Sequence, residues 1–143
     1  MQLVHATCVE IGGHAVLIRG PSGSGKSDLA LRLMDTGAQL VADDQTQLSP
    51  EGGRLFASVP STIAGMMEVR GLGIVRMAHR DHVPVALVVD LIAAKDVERL
   101  PEPTMAAFAG IRVPRVSLAA FEASTPAKVR LAVLVATRDS TAL

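Results

Sequence analysis

The chain has 143 residues, and its 14 basic and 14 acidic side chains give a formal net charge of zero. This length predicts one domain over residues 1–143, and the absence of a basic run argues against a nucleic-acid partner. A single cysteine, Cys8, excludes an internal disulfide; no apolar run reaches the roughly 18 residues of a membrane helix and no signal-peptide pattern occurs, so we expect a cytoplasmic protein without a membrane partner.

The first third of the chain predicts a strand–loop–helix–strand unit. Apolar alternation indicates a strand over residues 3–11, and a β-branched run indicates a buried strand over His14–Arg19. Helical spacing over residues 26–36 predicts a helix that Gly37 ends. A further strand is expected at Gln39–Ala42, and crossovers of this kind normally join parallel strands.

The rest of the chain predicts mainly strands. Pro50 to Gly53 indicate the turn of a hairpin. Thr125 and Pro126 resemble a helix start, with Thr125 as the N-cap, and the helix would reach Asp139. The predicted strands lie at residues 46–48, 54–58, 66–77, 83–91 and 111–118. The expected fold is therefore α/β, with a mixed β-sheet core, one helix after the glycine-rich loop and a C-terminal helix.

The loop between the second strand and the first helix carries the clearest functional signal. It reads Gly20-Pro21-Ser22-Gly23-Ser24-Gly25-Lys26-Ser27, which is the P-loop spacing. Glycines let backbone amides turn toward an anion, and the helix N-terminus adds a positive end. We predict that Lys26 reaches the terminal phosphates of a nucleotide and that Ser27 binds Mg²⁺. A Gly/Ser-rich turn without a ligand is the alternative.

Two acidic residues, Asp43 and Asp44, follow the strand after this helix. Carboxyl ends of strands face the ligand crevice in an open sheet, and neighbouring strand residues point to opposite sides. One aspartate can therefore face Mg²⁺ while the other faces a different part of the crevice. A solvated pair in a turn is the alternative.

A carboxylate and a guanidinium stand two residues apart at Glu68 and Arg70, before Gly71. On one side of a strand they would suit Mg²⁺ and phosphate respectively. A surface ion pair beside a glycine bend is the alternative. His5 lies on the first predicted strand, where a histidine taken alone is more often structural than catalytic.

These segments together resemble the catalytic domain of HPr kinase/phosphorylase. The resemblance runs from residue 5 to about residue 135. Its most specific part is Met67-Glu68-Val69-Arg70-Gly71-Leu72-Gly73-Ile74-Val75, which looks like the family signature. The other matching segments are His5, residues 20–27, 40–44, 108–116 and 126–132.

The family resemblance implies an activity and a set of partners. The activity is ATP-dependent phosphorylation, with Mg²⁺, of a serine on HPr, a phosphocarrier of the sugar phosphotransferase system; many members also remove this phosphate by phosphorolysis. The implied fold is a P-loop domain related to phosphoenolpyruvate carboxykinase. Members are typically hexamers, so we expect a homo-oligomer.

Two features depart from the family pattern. Longer members carry an N-terminal domain before the histidine, whereas four residues precede His5, which suggests a short form. The glycine-rich flexible loop with an arginine that is usual after Ile74 is replaced by residues 76–82, which lead directly into a strand. The resemblance therefore supports kinase chemistry more strongly than phosphorylase chemistry.

The expected reaction is an in-line phosphoryl transfer, which depends on positioning and charge neutralisation. Asp43 is the expected base for the serine proton, the resemblance implies His5 beside it, and Arg70 would stabilise charge. The predicted site residues share three roles: phosphate binding by Gly20, Pro21, Ser22, Gly23, Ser24, Gly25, Lys26 and Ser27; magnesium binding by Ser27, Glu68 and Asp44; catalysis by Asp43, His5, Asp44 and Arg70.

Three other classes of P-loop protein are alternatives. A small-molecule kinase would usually carry an arginine-rich helical lid, which the strand-rich middle of the chain does not predict. A small GTPase would carry an Asn-Lys-x-Asp motif, which is missing. A nucleotide-sensing regulator without catalysis is the main alternative, although His5, Asp43, Asp44 and Glu68 would then lack a purpose.

Overall fold

A computed structural model describes residues 1–138, which contain eleven strands and two α-helices. Short 3₁₀ turns lie at Ser61–Ile63 and Ala94–Asp96. The strands are β1 Gln2–Val4, β2 Thr7–Ile11, β3 His14–Arg19, β4 Gln39–Ala42, β5 Thr46–Glu51, β6 Arg54–Ser58, β7 Met66–Val69, β8 Gly73–Arg76, β9 Val83–Leu91, β10 Thr104–Phe108 and β11 Ile111–Leu118. The helices are α1 Lys26–Asp35 and α2 Thr125–Thr137.

Strand β9 is central to a nine-stranded mixed sheet. On one side it runs parallel to β3. On its other side it pairs antiparallel with β6 at Val83 and Pro84, and then parallel with β11 from Val88 to Leu91. The path β1-β5-β6-β9-β3-β2-β4 completes the sheet, with β10 beside β11. The expected mixed sheet with a helix after the P-loop and a C-terminal helix is confirmed.

The strand that precedes the P-loop and the strand that precedes the aspartates are not neighbours. Strand β2 lies between β3 and β4 and is antiparallel to both, so β3 and β4 run in the same direction one strand apart. The single strand expected over residues 3–11 is in fact β1 and β2. The chain turns at residues 5–6, where Ala6 N donates to Val4 O at 3.1 Å.

The carboxyl ends of β3, β4, β9 and β11 lie at one edge of the sheet, because these four strands share a direction. The loops that leave them therefore meet there. These loops are the P-loop after Arg19, the aspartate pair after Ala42, and the segments that follow Leu91 and Leu118.

Both faces of the central sheet are buried. In β3, Ala15 and Leu17 pack on the side over which β5, β6 and β10 curl, and Val16 and Ile18 pack on the side of the two helices. The alternation has the two-residue period of a strand. It explains why His14–Arg19 reads as a continuous apolar run, which is typical of a strand buried on both faces.

Two further local predictions differ from the structure, and one strand was missed. Residues 66–77 form the hairpin of β7 and β8 rather than one strand. Strand β10 was not predicted. Helix α2 has Ser124 as its N-cap residue, and Thr125 is already helical, its Oγ1 donating to Ala119 O at 2.5 Å. The predicted helix end at Asp139 lies outside the described residues.

Within residues 1–138, neither helix has the length and apolar character needed to cross a membrane.

Candidate functional site

The P-loop connects β3 to α1, and its shape depends on glycine at two positions. Gly23 and Gly25 have φ values of 81° and 101°, in the left-handed region that favours glycine. At Gly25 a Cβ atom would also lie 2.7 Å from Phe121 Cζ and 2.8 Å from Ala120 Cβ. The loop therefore holds its conformation only because residue 25 has no side chain.

Lys26 lies at the start of α1 and folds back over the loop. Its side chain is only 7% exposed, and Nζ donates to Gly20 O at 2.9 Å and to Pro21 O at 3.3 Å. Buried ammonium groups require partners of this kind. The positive charge is thus held at the mouth of the loop, where Lys26 was predicted to meet phosphates.

The loop contains another buried polar group, which, unlike Lys26, has no hydrogen-bond partner among the described residues. Ser24 Oγ is inaccessible to solvent and makes no hydrogen bond within the described part of the chain. Leaving such a group unsatisfied costs about 1–3 kcal/mol. An anion in the loop would offer it an acceptor, so the loop fits a phosphate ligand.

The carboxylate of Asp43 is held by three donors. Ser27 Oγ donates to Oδ1 at 2.7 Å, Glu68 N donates to Oδ2 at 3.1 Å, and Thr7 Oγ1 donates to Oδ1 at 3.4 Å. The structure therefore brings Asp43 together with the hydroxyl that was predicted to bind Mg²⁺.

Asp44 faces different neighbours. Its φ of 65° is left-handed, and its amide donates to Thr7 Oγ1 at 3.1 Å. Its carboxylate lies 3.9 Å from Lys26 Nζ and 3.9 Å from His5 Nε2. His5, expected beside Asp43, thus lies beside Asp44. The side chains of His5 and Asp44 are 73% and 54% exposed.

Glu68 and Arg70 do not share a strand face. Glu68 lies on β7, but Arg70 lies in the turn before β8. Glu68 reaches Asp43 through its backbone amide, and both side chains are exposed. Among the described residues, neither side chain makes a hydrogen bond or ion pair within the site. The expectation that this carboxylate and guanidinium share one side of a strand is therefore wrong.

Two contributors were missed by sequence reasoning. Thr7 is fully buried and links both aspartates, and its signal was a hydroxyl in an apolar strand. Arg19 and Asp90 form a bidentate ion pair, with Nε–Oδ1 at 2.7 Å and Nη2–Oδ2 at 3.0 Å. A charge at the end of one apolar run and a charge within another were the signal for this pair. The pair joins β3 to β9 one residue before the P-loop.

The donor set beside the P-loop fits magnesium better than a softer metal. Ser27 and Asp43 offer a hydroxyl and a carboxylate, and Asp44 adds a second carboxylate nearby. Oxygen donors in small number suit Mg²⁺, which keeps several water ligands. Within residues 1–138, no group of three or more His, Cys, Asp or Glu side chains is placed to hold a metal.

These features define a P-loop domain, the class in which a loop at a helix N-terminus faces an acidic group. They are strand β3, the glycine-rich loop, helix α1 and the pair of Ser27 and Asp43. A family model described as the HPr Serine kinase C-terminal domain matches residues 1–139. The chain belongs to this family.

Similar proteins agree with this membership. An HPr kinase/phosphorylase of Geobacillus sp. (strain WCH70) is 44% identical over 96 residues, which are 62% of this chain and 31% of the relative. One from Clostridium tetani is 46% identical over 72 residues, which are 50% of this chain and 24% of the relative. This chain thus aligns with a third or less of these relatives.

A solved structure is similar over almost the whole chain. It is described as the Hpr(Ser) kinase/phosphatase from Coxiella burnetii, with a TM-score of 0.82 and 29% sequence identity. The match covers 93% of this chain and 94% of that one. The similarity supports the mixed α/β fold described above.

Proposed function

We propose that this chain is an ATP-dependent serine kinase whose substrate is an HPr-like phosphocarrier protein. The arrangement around the P-loop carries the proposal. Lys26 Nζ donates to Gly20 O within the loop. Beside the loop, Asp43 accepts from Ser27 Oγ, and the Asp44 carboxylate lies 3.9 Å from Lys26 Nζ. The names of the similar proteins, HPr kinase/phosphorylase and Hpr(Ser) kinase/phosphatase, support an HPr-like substrate. We also propose a cytoplasmic location, and a homo-oligomer that rests on the family resemblance alone.

Phosphate binding is proposed for the loop from Gly20 to Ser27. Its backbone amides, Ser24 Oγ and the Lys26 ammonium would be the donors. Lys26 would exchange its contacts with Gly20 O and Pro21 O for phosphate oxygens. Ser27 and Asp43 would hold Mg²⁺, with Glu68 contributing its carboxylate. Bound Mg²⁺ would neutralise charge on the β- and γ-phosphate oxygens.

The geometry favours exchanging the expected roles of the two aspartates. Both oxygens of Asp43 are engaged, one of them by Ser27, which suits a metal ligand. Asp44 is 54% exposed and lies between His5 and Lys26. A base for a serine of another protein must be reachable from solvent. We therefore propose Asp44 as the base and His5 as the residue that tunes its charge.

Arg70 remains a proposed stabiliser of charge on the transferred group. It lies in an exposed turn at the end of β7, two residues after Glu68. From this turn an extended guanidinium would approach the phosphates from the solvent side. Arginine suits phosphoryl oxygens because its donors form a planar fork.

The test is phosphoryl transfer from ATP and Mg²⁺ to a purified HPr, followed by mass spectrometry of the carrier. The wild-type protein should add one phosphate to the carrier. Lys26→Ala should lose ATP binding. Asp44→Asn should keep ATP binding and lower transfer about 100- to 10,000-fold. Asp43→Asn should weaken the magnesium dependence of ATP binding.

Two results would contradict the proposal. Tight ATP binding by the wild type without transfer to any phosphocarrier would favour a nucleotide sensor. Transfer that survives in Asp44→Asn and disappears in Asp43→Asn, with ATP binding intact in both, would restore Asp43 as the base.

A further inference from the structure

An apolar cleft opens beside the P-loop, on the side away from the aspartates. Its volume is about 540 Å³, which lies within the roughly 300–1,000 Å³ of small-ligand pockets. The cleft is formed where three loops meet at the carboxyl edge of the sheet: the P-loop after β3, the segment after β9 and the segment after β11. They contribute Pro21 and Ser24, residues 91–94, and residues 119–122.

The position of the cleft matches the direction in which a nucleotide would extend. The aspartates follow β4, on the β2 side of β3, whereas the cleft lies on the β9 side. A nucleotide with its terminal phosphates near Lys26 and Asp44 would carry its α-phosphate, ribose and base toward this opposite side. The P-loop residue Ser24 lines the cleft, so the phosphate site and the cleft are continuous.

Phe121 supplies an aromatic face on the wall of the cleft. Its side chain is 70% exposed although it is large and apolar. The ring lies against the P-loop, because a Cβ at Gly25 would be 2.7 Å from its Cζ. Aromatic rings stack on the π-face of nucleobases, and one such contact is worth about 1–3 kcal/mol. The chain has three phenylalanines and no tyrosine or tryptophan.

The wall that carries Phe121 is held in place from both flanks. Arg32 of α1 donates from Nη2 to Ala120 O and from Nη1 to Glu122 O, the latter at 3.4 Å. Thr125 of α2 donates to Ala119 O. The backbone on either side of Phe121 is therefore held before any ligand arrives, which lowers the entropy cost of binding.

We propose that this cleft binds the base and ribose of the nucleoside triphosphate, with the base stacked on Phe121. The inference rests on the proposed function, because it requires the P-loop to bind nucleotide phosphates. It adds the subsite that separates ATP from an inorganic polyphosphate. The phosphates would bind without the ring, and the ring would add affinity only for ligands that carry a base.

The test compares ATP with inorganic tripolyphosphate, both with Mg²⁺, by calorimetric titration. Phe121→Leu keeps an apolar side chain and removes the ring, and it should weaken ATP binding roughly 5- to 150-fold, which corresponds to the loss of one stacking contact. Tripolyphosphate affinity should stay within about twofold. Phe121→Tyr keeps the ring and should bind ATP about as the wild type does.

A matched control is Leu131→Ala, which removes an exposed apolar side chain of α2 that does not line the cleft. It should change neither affinity. If Phe121→Leu binds ATP as tightly as the wild type, or weakens ATP and tripolyphosphate equally, the base subsite is overturned while phosphate binding stands. If the wild type binds neither ligand, the proposed function fails and the subsite fails with it.

Discussion

At the scale of single residues, the most informative side chain is Thr7. It is buried in β2 and its hydroxyl contacts both aspartates, accepting from Asp44 N and donating to Asp43 Oδ1. Asp44 has a left-handed backbone, which non-glycine residues adopt at a cost. The Thr7 hydroxyl helps to hold that conformation, and so helps to point the two carboxylates at different neighbours.

We predict that Thr7→Val will separate nucleotide binding from catalysis. Valine keeps the shape but leaves the Asp44 amide without its acceptor, which should lower the free energy of unfolding by about 1–3 kcal/mol. Phosphoryl transfer should fall more than ATP affinity. Denaturant unfolding, calorimetry and the transfer assay measure these effects. Thr104→Val, at an exposed position of β10, is the control, and equal behaviour of the two variants would contradict the role of Thr7.

Cys8 provides a prediction about pH. Burial raises the pKa of its thiol well above the usual value. Above about pH 9 the unfolded chain loses this proton while the folded chain keeps it, so stability should fall as pH rises, by at most about 1.4 kcal/mol per pH unit.

Denaturant unfolding at pH 8 and pH 10 tests this pH dependence, with Cys8→Ala as the comparison because it has no thiol. The wild type should lose more stability than Cys8→Ala over this interval. A thiol reagent should label native Cys8 only as fast as the protein opens. Rapid labelling of the folded protein, or equal losses in both proteins, would be inconsistent with a buried neutral thiol.

At the scale of elements, the P-loop and the segments beside it depend on close approach. Gly25 lies against Phe121 and Ala120, which belong to the segment after β11. The P-loop and the loop that carries the aromatic ring are therefore packed together. A substitution in one of these loops should therefore alter the conformation of the other.

We predict that Gly25→Ala will be more damaging than Gly23→Ala. Both positions have positive φ values, so both variants should be strained by about 1–2 kcal/mol. Only at Gly25 would the new methyl group also collide with neighbouring side chains; at Gly23 nothing lies within 4 Å. Thermal unfolding and ATP titration should show the larger losses for Gly25→Ala, and a reversed order would argue against the packing of the loop on Phe121.

The sequence predicted local elements well and their neighbours poorly. His14–Arg19, Gln39–Ala42 and Val83–Leu91 were predicted with the bounds they have, because continuous apolar runs mark strands buried on both faces. The insertion of β2 between β3 and β4 could not be predicted, because strand order depends on packing across the whole chain. The P-loop was located from its spacing alone, but the partners of the two aspartates depend on a left-handed backbone at Asp44.

Two further misses have local causes. Residues 66–77 were read as one strand because the apolar pattern continues through the turn at Arg70, Gly71 and Leu72. Strand β10 follows Pro101 and Pro103, and prolines so close to a segment are typical of irregular structure rather than of a strand. Arg70 was placed on a strand for the first of these reasons, so its expected position on the same strand face as Glu68 was also wrong.

At the scale of the whole molecule, the two sides of the P-loop differ in polarity. Carboxylates lie on the side of β2 and β4, and an apolar cleft lies on the side of β9 and β11. The ion pair of Arg19 and Asp90 ties the two central strands together between these regions. Arg115 approaches the same carboxylate at 3.5 Å.

We predict that Asp90→Ala will destabilise the whole domain by about 1–3 kcal/mol, because it leaves two arginines near the P-loop without their shared acceptor. Lys128→Ala removes one partner of an exposed pair with Glu122, and it should cost less than about 1 kcal/mol. Denaturant unfolding of both variants provides the comparison. Similar midpoints for Asp90→Ala and the wild type would show that the pair is not structural.

The central place of β9 also affects how the chain folds. Arg19 and Asp90 are 71 residues apart in sequence, and β9 contacts strands from the first, middle and last thirds of the chain. Pairings between such distant segments close large loops before they gain contacts, so folding should take milliseconds to seconds rather than microseconds. During synthesis on the ribosome, β3, the strand before the P-loop, could not pair fully with β9 until residue 91 has emerged.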